Sequence, residues 1–93
     1  MPEAAMEAGP VRDMIRRSFA RSALERGAKT AEEKAAVAKA LKRENRAALN
    51  AFIDGLGEDF DESYGAGGSW QDFFKWLIEN LPAIIAAIMA LFA

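Results

Sequence analysis

Neither cysteine nor histidine occurs in the 93 residues. Without a thiol there is no disulfide framework, no iron–sulfur centre and no zinc-thiolate site, and the redox compartment is left open. Without imidazole the commonest general base and the commonest metal ligand are missing. No glycine-rich phosphate loop of the Walker type is present. The acidic run from Asp54 to Glu62 offers oxygens, but not in the alternating spacing of a calcium-binding loop. Its carboxylates lie on a glycine-rich stretch, where nothing would hold them at the separation that acid–base catalysis requires. No enzyme, cofactor, metal site or small-molecule substrate is therefore expected.

Residues 1–9 lack an apolar core and begin with acidic charge, so no secretory signal is read there. Hydrophobic residues make up 52% of the chain and charged residues 28%, which excludes a wholly disordered polymer. The length suits one small domain.

The net charge of -2 hides a strong segregation. Residues 11–50 carry eleven Lys/Arg against five acids, whereas residues 51–69 carry five acids and no base. A basic half, an acidic connector and an apolar tail follow one another. The expected class is all-α: two short N-terminal helices, a flexible acidic Gly-rich linker, and an apolar C-terminal helix kinked at Pro82. The segments are 1–9 as a tail, 10–56 as the basic helical region, 57–69 as the linker and 70–93 as the apolar helix.

Gly9-Pro10 opens the first helix, about 10–26, because proline's missing N–H is not needed in a first turn. Val11, Met14, Ile15, Ser18, Phe19, Ser22 and Ala23 recur at helical spacing as one narrow apolar stripe. Thr30 and Glu33 have the spacing of a capping box and start the second helix, about 31–55. Charge interrupts its stripe between Lys42 and Arg46, where a bend or exposure is expected. Ser69 and Asp72 repeat the capping spacing before the third helix.

That last segment places Trp70, Phe73, Phe74, Leu77, Leu81, Ile84, Ile85, Ile88, Leu91 and Phe92 on one face. Beyond Pro82 the other face is small and apolar, with Ala83, Ala86, Ala87 and Ala90. A helix that is apolar all round is buried in protein or lipid. The uncharged run from Asn80 to Ala93 is fourteen residues, about 21 Å as a helix, short of a bilayer core of about 30 Å. Interfacial lipid burial, or the core of an oligomer in which the alanines permit close helix approach, fits better than a simple span. A self-contained three-helix bundle is the plainer arrangement, weighed second.

Arg12, Arg16, Arg17, Arg21, Arg26 and Lys29 flank the first apolar stripe and are candidate contacts for an anionic partner, either nucleic-acid phosphates or lipid headgroups. No helix-turn-helix, zinc-finger or RNP pattern accompanies them, so only non-specific nucleic-acid contact is expected. Pairing with acids of the same chain is the alternative. The expected function is that of a structural or assembly protein whose tail is buried in a membrane or among other subunits. A virion or membrane complex would suit it. A nucleic-acid accessory protein and a soluble adaptor come next.

Overall fold

A computed structural model describes residues 9–65 and 68–92. The described residues form five α-helices: α1 (Pro10–Gly27), α2 (Ala31–Ala40), α3 (Arg46–Tyr64), α4 (Trp70–Glu79) and α5 (Leu81–Phe92). A short 3-10 turn, Arg43–Asn45, joins α2 to α3. No strand is present among the described residues, and the chain is all-α as its periodicity implies. The expected tail at 1–9 lies, except for Gly9, outside the described residues.

Both capping boxes form. The Thr30 hydroxyl accepts from Glu33 N–H at 3.0 Å while the Glu33 carboxylate accepts from Thr30 N–H at 2.9 Å. Asp72 N–H donates to the Ser69 hydroxyl at 3.1 Å, and Ser69 N–H to the Asp72 carboxylate at 3.2 Å. Each box supplies acceptors for backbone donors that have no partner within the helix.

Three boundaries differ from the sequence expectation. The helix expected over 31–55 is two helices rather than one, divided at 41–45 where the charge interruption led a bend or exposure to be expected, and Lys42 adopts extended backbone with ψ 147. The Asn45 amide holds this corner by donating to the Lys39 carbonyl at 2.8 Å. The linker expected over 57–69 is helical as far as Tyr64, so α3 ends nine residues beyond the expected end at 55. Tertiary contacts override the propensity there. Phe60 is fully buried, and Gly57 lies beneath the Arg16 side chain, where an added Cβ would sit 2.9 Å from Nη1. Gly65, at φ 73, is the residue that ends the helix, a conformation favouring glycine.

The third difference is in the apolar segment. Residues 70–92 form two helices meeting at a bend of 68°. The break falls at Asn80, whose amide donates to the Trp76 carbonyl at 2.8 Å, rather than at Pro82. Pro82 stands in the first turn of α5, where its missing donor costs nothing.

The core draws on all five helices. Leu24, Val37, Leu49, Ile53, Phe60, Phe73, Leu77 and Ile88 are buried, with Ala20, Ala36 and Ala40 letting helices approach closely. α5 packs most extensively on α2 and also on α1. Phe60, Phe73 and Trp76 form an aromatic cluster, with ring centroids 5.2 and 5.9 Å from Phe60. Edge-to-face contacts of this kind add about 0.5–1.5 kcal/mol beyond area burial.

Helix α1 is turned opposite to its apparent polarity. Its buried residues are Arg16, Ala20, Ala23 and Leu24. Of the periodic stripe, Val11 and Met14 are 67% and 65% exposed, and Phe19 is also at the surface. Small side chains face inward because alanine permits a close approach to α2, α3 and α5, and Arg16 and Arg17 find acids on α3.

Candidate functional site

Two groups of residues stood out in the sequence: the α1 cations and the apolar C-terminal segment. The cations are drawn into the fold. Arg16 donates to Asp61 through Nη1 and Nη2 at 3.2 and 2.6 Å. Arg17 donates to Asp54 through Nε and Nη2 at 2.9 and 2.6 Å. Arg12 pairs with Asp13 at 3.2 Å and reaches Asp61 at 3.9 Å, and Arg21 donates to the Asn50 side chain at 3.2 Å. Arg17 holds the Asp54 carboxyl below its ordinary value, chiefly by hydrogen bonding and also by charge, and Asp54 raises Arg17 in return.

The two bidentate pairs make the α1–α3 seam polar and charged. Two of the acids read as a connector in the sequence, Asp54 and Asp61, thus serve as counter-charges to α1. Arg16 lies over the faces of Phe73 and Phe60 at 5.3 and 5.8 Å, a cation–π position that lets a guanidinium sit at 6% exposure. Its Nε is buried with no hydrogen-bond partner. Freeing Arg16 for an outside anion would take its guanidinium off the faces of Phe60 and Phe73 and leave Asp61 without its two-point partner. Among the six candidate cations, only Arg26 and Lys29 have exposed side chains with no ion pair among the described residues. Gly57 beneath Arg16 was not singled out in the sequence, whereas pairing with acids of the same chain, the alternative weighed there, is what Asp54 and Asp61 provide. The available signal was the three- and four-residue spacing of acids, which matches that of the arginines.

The C-terminal segment divides in two. Phe73, Leu77, Ile84, Ile85, Ile88 and Phe92 are buried inside this chain, and Trp70 and Leu81 are half-buried against its core. The expectation that all ten need shelter outside the monomer is corrected for these eight. Helices α1 and α2 supply enough apolar surface, through alanines that a narrow-stripe count undervalues. Phe74 and Leu91 remain exposed at 50% and 61%. Ala83, Ala86 and Ala90 are exposed and Ala87 is half-buried.

The outward residues fall in two rows, one on α4 and one on α5, that meet at the 68° bend. Trp70, Phe74, Ile78, Pro82, Ala86 and Ala90 stand four apart, and all but the half-buried Trp70 are exposed. Residues at i±4 form a ridge on a helix surface, the feature that packs into the groove of another helix. The exposed side of α5 carries no polar side chain at all. At the N-terminal end of the α4 row, Phe19 of α1 meets Trp70 edge-on at 5.3 Å. Beside the α4–α5 elbow is a shallow depression of about 210 Å³, lined by Gly27, Lys29, Glu33, Leu81, Pro82 and Ile85. Ile78 and Pro82 were not singled out in the sequence, although the four-residue spacing was visible there.

No cluster of three or more potential metal-ligating side chains occurs among the described residues. No single described helix is long and apolar enough to cross a membrane; α4 and α5 together reach that length and hydropathy, with the bend between them. Comparison with protein-family models, curated proteins and solved structures finds no match.

Proposed function

We propose that this chain is a non-enzymatic assembly protein that buries the outward rows of α4 and α5 against other protein subunits. The observation that carries the reading is the two rows, Phe74 and Ile78 on α4 and Pro82, Ala86 and Ala90 on α5, apolar at every position and exposed throughout. A folded monomer has no use for those rows in water, since each exposed apolar side chain forgoes its burial free energy. The alanines Ala83, Ala86 and Ala90 favour a protein partner, because small side chains let another helix approach closely.

A second reading, docking on a lipid surface, draws support from the combined length and hydropathy of α4 and α5. Light-scattering mass with and without detergent tests both. Subunit burial expects a detergent-free species above the monomer mass that Phe74→Glu or Ala86→Glu dissociates without loss of helicity. Lipid docking expects flotation with vesicles that the same substitutions abolish. A strict monomer that ignores vesicles would refute the reading.

A further inference from the structure

We infer that the end of α3, residues 58–64, is a strap that opens separately from the rest of the fold, hinged at Gly55 and Gly57 and latched by the Arg16–Asp61 pair. The two bidentate ion pairs stand on opposite sides of those glycines. Arg17 binds Asp54 just before the hinge at 2.9 and 2.6 Å, and Arg16 binds Asp61 just after it at 3.2 and 2.6 Å. Among the α-helices only α1 packs extensively on α3. One pair thus anchors the body of α3, and the other holds down its far end.

Three features work against the closed strap. Gly55 and Gly57 lie inside the helix, where glycine loses more backbone freedom than any other residue. Glu58, Asp59, Asp61 and Glu62 crowd the C-terminal turns, where the helix dipole favours cations, and no basic residue stands in the last turn. The closed latch also leaves Arg16 Nε buried with no hydrogen-bond partner. Opening lets water reach that donor and removes its desolvation cost.

Only two things oppose these: the latch and Phe60. Asp61 is 36% exposed in its side chain, so one partner of the latch is already wet, with Arg12 a more distant second cation at 3.9 Å. The Phe60 ring is seated against Gly68, where an added Cβ would lie 2.7 Å from it. It stacks on Tyr64 of the strap at 4.6 Å and meets Phe73 and Trp76 edge-on. A segment with one buried anchor and several opposed contributions is the kind that opens as a unit below the global transition. Lifting it carries Phe60 off α4, so Phe73 and Trp76 present ring surface that the closed fold hides. The device works whatever partner covers the outer side of α4.

Native-state hydrogen exchange on the full chain is the test. In wild type the amides of 58–64 are expected to share one opening and to exchange about tenfold faster, or more, than the buried amides of α2 and α5. Asp61→Ala is expected to speed them about thirtyfold. Gly55→Ala, whose added Cβ meets nothing within 4 Å, is expected to slow them about threefold. Circular dichroism checks that each variant stays folded. Tryptophan emission gives a second readout, because both tryptophans, Trp70 and Trp76, are on α4 and Trp76 sits against Phe60. Emission is expected to shift to the red in dilute urea before the main loss of helical signal.

Exchange that merely rises residue by residue toward Tyr64 would be fraying of a helix end, and the strap would be overturned. Protection of 58–64 equal to that of α2 and α5 overturns it as well. If the segment opens as one but neither Asp61→Ala nor Gly55→Ala changes its rate, the latch and hinge are wrong.

Discussion

Arg16 and Asp61, 45 positions apart in the chain, form a two-point ion pair that fixes the end of α3 to the middle of α1. The pair explains why a glycine-punctuated acidic stretch is helical. The acids at 54, 58, 61 and 62 repel one another along one helix, and the arginines of α1 neutralise two of them.

Removing Asp61 strands a guanidinium in the core. Asp61→Ala is expected to cost about 2–3 kcal/mol, below the roughly 3–5 of a fully buried pair, because its carboxylate is 36% exposed. Arg16→Met, which removes charge and orphaned donor together while keeping apolar volume, is expected to cost less. Urea denaturation of the two variants checks the order; equal losses would contradict it.

The two glycines of α3 should respond with opposite signs. An added Cβ at Gly55 meets nothing within 4 Å, so Gly55→Ala is expected to stabilise by about 0.5–1 kcal/mol through the unfolded state and helix propensity. Gly57→Ala places its methyl 2.9 Å from a guanidinium that Asp61 holds in place, and is expected to destabilise by about 1–2 kcal/mol. Thermal melts of both show whether the sign reverses.

Thr30→Ala removes one acceptor of the α2 capping box. The expected loss is about 1 kcal/mol, with Thr30→Ser close to wild type because the hydroxyl is retained. Chemical denaturation checks it.

Acid stability follows from Asp54, whose carboxyl Arg17 holds below its ordinary value. A lowered folded-state pKa contributes stability that is complete above the ordinary aspartate value of about 3.9 and is lost as pH falls through the folded value. Asp54→Asn is therefore expected to lower stability at neutral pH and to shallow its decline below about pH 4. Asp54 is partly exposed, so the effect is modest and shrinks in high salt. Urea midpoints from pH 2 to 7 for both proteins test the direction.

Helix type and starting points were readable in the chain, because they depend on contacts three or four residues apart. Thr30/Glu33 and Ser69/Asp72 each mark a start with groups that satisfy their own neighbours, and Pro10 marks one by lacking a donor that would need a partner. The facing of α1 was not readable. Val11, Met14 and Phe19 carry the hydrophobic period, yet of that stripe only Ala23 is buried, and Arg16, Ala20 and Leu24 face the core beside it, since hydrophobicity alone does not record how closely two helices can approach. Gly57 and Phe60 show the same gap: local propensity writes a linker, and a long-range ion pair with an aromatic cluster makes it a helix.

The sequence by itself determined an all-helical chain, its capped helix starts and the row of apolar residues spaced four apart from 70 to 90. Tertiary structure alone decided that α5 shelters its isoleucines against α1 and α2, that the arginines turn inward to α3, and that the outer half of the row stays uncovered. Hydrogen bonding along a helix is local and therefore legible in order, whereas burial depends on which distant surfaces meet.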